Sequence, residues 1–222
     1  MPMPVNEAQK TSVVKVKSFI SPSEIEVILH TVKQSNLSAY TSNNEEDVNK
    51  DGDPIHTTTY LQTQNTFEER LGWLQQRVLR IIRSLNKANQ WGFHINKLSS
   101  FNVRVAEYHE MEVGGALRNA EHYDIGSLVT VDIMLQEATE GAIFQTLESS
   151  VQDINGSAES YLRPHPFQAG DALVFVSHKY HCVSPLLAGS RKVLVIEFWN
   201  GQKRNCGHRC DIQFGECSFV DA

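Results

Sequence analysis

The chain has 222 residues, of which 41% are hydrophobic and 21% charged, with a formal net charge of −6. This is the composition of an ordinary soluble globular protein built as one large domain, or as one domain with an appended region. It argues against bulk nucleic-acid binding, which needs clustered Lys and Arg, and no apolar run is long enough to span a membrane.

The opening MPMPVNEAQKTS lacks the apolar stretch of a secretory signal, so the cytoplasm is the expected compartment. Residues 1–12 read as a disordered tail. Val13-Val14-Lys15-Val16-Lys17 alternates apolar and basic side chains like a short edge strand. Ser21-Pro22-Ser23-Glu24 then supplies an N-cap, a proline at the first helical position and the acidic member of a capping box. Ile25, Ile28, Leu29 and Val32 give the helix that follows an apolar stripe.

Residues 34–56 are polar and read as a loop, either a surface excursion or a lid over an active site. Thr57-Thr58-Thr59-Tyr60-Leu61 is β-branched and predicts a strand. A long amphipathic helix is predicted over 65–88, with Phe67, Leu71, Leu74, Val78, Ile81, Ile82 and Leu85 on its core face. Trp91-Gly92-Phe93 reads as an aromatic plug under that core.

From about residue 98 the pattern changes to short β runs: 101–108, 129–135, 172–176 and 193–199. A helical first third followed by many strands predicts an α+β chain with a mainly β core, a barrel or jelly roll supported by N-terminal helices. The organisation expected is a tail over 1–12, a helical support over 13–100, a β core over 101–200 and a cysteine-containing tail over 201–222.

The chemistry centres on His122 and Asp124. Two apart on a strand, they project to the same side and make two thirds of a facial triad, which binds ferrous iron and leaves coordination positions open. Alone, the pair is consistent with iron, zinc or no metal. Downstream, a turn at Ala169-Gly170-Asp171 starts a buried strand with His181 beyond its far end. Arg191, ten residues on, begins the next β run. A hairpin-like return would place Arg191 near the metal, where its planar fork suits a carboxylate.

These residues resemble the iron(II)- and 2-oxoglutarate-dependent dioxygenases, in particular the prolyl-4-hydroxylase-like branch. The matching elements are His122-x-Asp124, His181-x-Val183-x-Pro185-x-x-x-Gly189-x-Arg191 and the lead-in Gly170-Asp171-x-x-x-Phe175. Weaker matches are the Phe-Ile-Ser-Pro-x-Glu helix entry, Trp91-x-Phe93 and Tyr108. The resemblance covers about residues 13–200. It implies a double-stranded β-helix (a cupin-like jelly roll) with Fe(II) held by His122, Asp124 and His181. It further implies that Arg191 binds the distal carboxylate of 2-oxoglutarate, with Tyr108 and Thr130 as candidate helpers.

The activity implied is hydroxylation of a C–H bond in a protein side chain, prolyl among the candidates, or in a small molecule. That reaction uses O2, releases succinate and CO2, and has ascorbate as a candidate reductant. The competing readings are a non-catalytic metal- or oxo-acid-binding module of the same fold and a cupin-type metal enzyme that does not use 2-oxoglutarate.

The chain departs from the family pattern in three places. Glu140-Gly141-Ala142 stands where relatives have Glu-Gly-Gly, Met134 where they place a tyrosine near the oxo-acid, and Asp132 shares the strand face of Thr130. Segments 34–56, 110–120 and 147–165 are the expected pocket walls. Of the four cysteines, Cys206, Cys210 and Cys217 fall in the last seventeen residues, with His208 among them. Thiolate and imidazole can bind zinc, but the spacing fits no standard finger, so free thiols or a local disulfide are expected there.

Overall fold

The computed structural model describes residues 11–37, 40–41, 48, 52, 54–93, 101–149 and 160–217. Most of the expected N-terminal tail, much of the 34–56 loop and the middle of the 147–165 excursion lie outside the described residues.

Strand β1 (Val14–Val16) pairs with β10 (Ala172–Val176), at the edge of the large sheet. Helix α1 (Pro22–Gln34) starts as its sequence dictates. The Ser21 hydroxyl accepts from the Glu24 N–H, and the Glu24 carboxylate accepts from the Ser21 N–H at 2.8 Å. Helix α2 (Thr66–Ala88) buries Phe67, Leu71, Leu74, Val78, Leu79 and Ile82. Arg77 on α2 donates to both carboxylate oxygens of Glu24 at 2.6 and 2.9 Å, clamping the two helices and holding the Glu24 carboxyl down to about 2.

Strands β2 (Tyr40–Thr41), β3 (His56–Tyr60), β4 (Asn102–Met111), β6 (Val129–Gln136) and β13 (Arg191–Trp199) complete a seven-stranded antiparallel sheet in the order β1-β10-β6-β13-β4-β3-β2. Facing it is a four-stranded sheet in the order β5-β11-β8-β9, made of β5 (Leu117–His122), β11 (His181–Val183), β8 (Phe144–Ser149) and β9 (Ser160–Pro164). A short pair, β7 (Glu140–Gly141) with β12 (Leu186–Ala188), ties the ends together. Two facing antiparallel sheets with this order form a double-stranded β-helix.

Strand alternation builds two separate cores from one sheet. On β6, Val129, Val131, Ile133 and Leu135 face the helices, and on β13 Leu194, Ile196 and Phe198 do the same. The opposite faces turn inward between the sheets, where Met134, Val193 and Met111 meet Phe144, Phe175 and Val183. Trp91 and Phe93 pack against the helix-side core. The inner face therefore has apolar packing at one end and Thr130, Asp132, Glu107, Arg191 and Glu197 left to account for. Beyond β13, residues 200–217 contain no helix or strand and lie back across the β-helix. Among the described residues no helix is long and apolar enough to cross a membrane.

Candidate metal centre and co-substrate pocket

His122 is the last residue of β5 and His181 the first of β11, and these strands pair with the two histidines directly opposite each other. Cross-strand partners sit side by side, and the imidazoles meet edge to face with centroids 5.0 Å apart. Asp124 lies beyond the end of β5, not on the strand that the alternation argument placed it on. The chain leaves the sheet at Tyr123, and the Asp124 N–H donates to the Ser177 carbonyl at 2.9 Å. That turn still brings the carboxylate home. Asp124 Oδ1 lies 3.4 Å from His122 Nε2 and 3.9 Å from His181 Nε2, and one ligand atom from each residue falls within 4.8 Å of the others.

Supporting hydrogen bonds fix these side chains. His181 Nδ1 donates to the Lys179 carbonyl at 2.9 Å, which leaves the Nε2 lone pair free toward Asp124. Burial lowers the His181 pKa against the opposing pull of Asp124, which favours the neutral imidazole a metal requires. The Thr130 hydroxyl donates to Asp124 Oδ2 at 2.6 Å and lies 2.8 Å from the Ser177 hydroxyl. Burial works to raise the Asp124 pKa. The hydrogen bond from His122, the charge of Arg209 and the Thr130 hydroxyl help to outweigh it, so the carboxylate stays well below its usual range.

Arg191, at the start of β13, is 2% exposed and pairs across the sheet with Met111 of β4. It does not reach the site through a hairpin with the His181 strand. β13 lies between β4 and β6 in the large sheet, so Arg191 faces the histidines from the opposite wall. Its buried Nε has no hydrogen-bond partner among the described residues. An orphaned, buried guanidinium N–H is costly unless an acceptor arrives, and a bound carboxylate is the acceptor that fits its fork. Asp132 lines the same cavity. Burial, then the nearby Asp124 charge, pushes its carboxyl up to about 7, with Arg191 opposing.

The two expected helpers are placed differently from each other. Tyr108 faces the helix-side core, because on β4 it is Glu107, His109 and Met111 that alternate into the cavity; its hydroxyl donates to Glu110 at 3.3 Å. Burial, with Glu110 next, raises the phenol pKa. Thr130 points inward, but its hydroxyl is engaged by Asp124 and Ser177, so it fixes the Asp124 carboxylate. Met134 packs in the inner core. His178 is exposed in the turn before β11.

Arg209, from the C-terminal tail, is a residue that sequence reasoning missed. Its Nη2 pairs with Glu107 Oε2 at 2.7 Å, and its Nη1 lies 2.7 Å from Glu197 Oε1 and 3.4 Å from Asp124 Oδ1. Three buried carboxylates thus share one guanidinium. Burial opposes ionisation of Glu107, yet the charges of Arg209 and His109 hold it down to about 2. Burial and the Asp124 charge push Glu197 up to about 8. Glu107 and Glu197 were visible in the sequence as acids at inward positions of apolar strand runs. Nothing local marks Arg209. Glu107, Arg209, Asp132, Arg191 and the three donor residues line a cavity of about 140 Å³ that opens to solvent.

The fold is that of the 2-oxoglutarate- and Fe(II)-dependent oxygenases. The chain is similar to a 2OG-Fe(II) oxygenase-family oxidoreductase from Burkholderia pseudomallei, with a TM-score of 0.59, 16% identity and 86% of this chain covering 87% of that one. It is similar to a prolyl-4-hydroxylase from Pseudomonas putida, with a TM-score of 0.55, 14% identity and coverage of 88% and 96%. HygX from Streptomyces hygroscopicus, solved with nickel and 2-oxoglutarate bound, matches with a TM-score of 0.57, 12% identity and coverage of 88% and 86%. No protein-family model and no curated protein matches the sequence.

Proposed function

We propose that this chain is an Fe(II)- and 2-oxoglutarate-dependent oxygenase that hydroxylates a C–H bond of a protein side chain or a small molecule. The observation that carries the reading is the convergence on one cavity of a His-Asp-His donor set and a buried guanidinium with an unpartnered N–H. Two imidazoles and one carboxylate make a facial donor set that suits Fe(II) and leaves coordination positions for other ligands.

His122, Asp124 and His181 are the residues that would hold the iron, and Arg191 the one that would hold the distal carboxylate of the oxo-acid. When bound, iron and 2-oxoglutarate supply the oxidising power, with O2 consumed and succinate and CO2 released. The protein supplies position and dryness. Thr130 and the Lys179 carbonyl orient two of the ligands, while Phe144, Val193 and Val195 line the cavity and exclude water. A prolyl-4-hydroxylase shares the fold, so prolyl peptides are a natural first panel.

The test is succinate release from 2-oxoglutarate over peptides, nucleosides and small metabolites, with iron and ascorbate present. Turnover should require both iron and 2-oxoglutarate and disappear in His181→Ala. Undiminished turnover in that variant would sink the proposal. Failure to consume 2-oxoglutarate under any condition would favour the binding-module reading instead.

A further inference from the structure

The C-terminal segment raises a stability problem of its own. Residues 201–217 form no helix or strand, and among them only Gly201, Arg204 and Cys210 are buried. A segment with so little apolar burial does not hold one shape by packing, and small irregular pieces of protein ordinarily need a metal or a disulfide as a staple. Yet this segment delivers Arg209 to a defined place among Glu107, Glu197 and Asp124.

The four cysteines of the chain are free, and three of them gather with one histidine. One ligand atom each from Cys206, His208, Cys210 and Cys217 falls within 4.8 Å of the others, and Cys217 Sγ is 3.3 Å from His208 Nε2. Tetrahedral zinc with Zn–S of about 2.3 Å and Zn–N of about 2.0 Å sets its ligand atoms roughly 3.5–3.8 Å apart. The cluster meets that spacing with sub-ångström adjustments of side chains. A disulfide would use two of these sulfurs and leave a third thiol and an imidazole crowded beside it.

We propose that Cys206, His208, Cys210 and Cys217 bind a structural zinc ion that staples the tail to the β-helix and thereby positions Arg209. Four protein ligands close the coordination sphere, in contrast to the three-residue iron site with its open positions. Arg209 lies between two of the zinc ligands, so a metal held there limits where its side chain can reach.

The ligand loop is also tied to the core through its backbone. The Gln62 side-chain amide donates to the carbonyls of Cys206 and His208 at 3.0 and 3.3 Å while its oxygen accepts from the Ala106 N–H at 3.0 Å. Arg104 Nε donates to the Cys210 carbonyl at 2.9 Å. These bonds hold the backbone where the four ligands converge. The zinc site does not rest on the oxygenase reading, because none of its ligands belongs to the cavity.

The full-length protein, purified under reducing conditions from zinc-supplemented medium, is assayed for metal content. The wild type and His181→Ala should each retain about one zinc per chain through the mild chelation that strips iron, and Cys210→Ser and Cys217→Ser should lose it. Zinc lost in His181→Ala but kept in Cys210→Ser would place the metal in the iron site and overturn the proposal, as would a wild type that neither contains nor takes up zinc. If the cysteine variants do not fold, Co(II) loaded into the wild type decides. Thiolate-to-cobalt charge-transfer absorption is expected, and its absence is fatal, since the His-Asp-His site has no sulfur ligand. For the positioning role, stripping zinc should accelerate trypsin cleavage after Arg209, and an unchanged rate would detach Arg209 from the metal.

Discussion

Arg209 Nη1 lies 3.4 Å from Asp124 Oδ1, so the carboxylate of the candidate iron site already faces a cation brought from 85 residues downstream. The same guanidinium neutralises Glu107, which is 1% exposed, and touches Glu197, which is 0% exposed. Removing one partner of a buried ion pair leaves an uncompensated charge at a cost of about 3–5 kcal/mol. Arg209→Ala should therefore lose stability on that order in urea denaturation. Glu107→Gln in the same chain should recover part of the loss, because the stranded charge is gone. Additive single and double mutants would show that the two side chains are not coupled.

Thr130 is expected to matter through Asp124. Its hydroxyl donates at 2.6 Å to the carboxylate oxygen Oδ2, and partners of this kind orient metal ligands. Thr130→Val keeps the shape and removes the donor, and should weaken iron binding by about 10- to 100-fold, while Thr130→Ser should retain it. Titration of the metal-free protein with Fe(II) under anaerobic conditions measures both. Equal affinity in wild type and valine variant would remove Thr130 from the iron site's support.

Arg191→Ala should raise the 2-oxoglutarate concentration needed for half-maximal turnover by about 10- to 100-fold, the size expected for a charge-assisted bidentate hydrogen bond. Arg191→Lys keeps the charge without the fork and should fall between. An unchanged requirement would mean that the unpartnered Nε serves something else.

Asp132 gives a pH dependence of defined sign. In the folded chain its pKa rises from the ordinary 3.8 to about 7, through burial first and the Asp124 charge second. The fold thus favours the protonated acid. That contribution is complete below the unfolded value and is lost as pH rises through about 7. In metal-free protein, Asp132→Asn should be worth little at pH 4 and should stabilise by a few kcal/mol, on the order of 2–4, at pH 8. Denaturation of both proteins across that range is the check, and a difference that shrinks as pH rises would refute it.

Much of the framework was legible because its causes are local. The capping box at Ser21 and Glu24, the stripe on α2 and the alternation of β6 and β13 depend on neighbours a few residues apart. Alternation also put Thr130 and Asp132 on the inner face correctly. It failed at Asp124, where the strand had already ended; Tyr108, suggested by the resemblance alone, faces the helix-side core because the register of β4 turns its odd-numbered neighbours inward. The route of Arg191 into the site was also misread, since sheet order is not encoded in the spacing of two β runs.

The sequence by itself determined the two helices, the inner and outer faces of the main strands and the residue types for an iron and oxo-acid site. Each of these follows from periodicities of 3.6 and 2.0 and from the chemistry of the side chains. Only the tertiary structure decided that β13 carries Arg191 to the wall opposite His181, and that a tail without secondary structure returns to set Arg209 against Glu107 and Asp124. The first depends on sheet order, and the second joins Arg209 to residues 85 and 102 positions away. No local pattern specifies which distant side chains will share a buried charge.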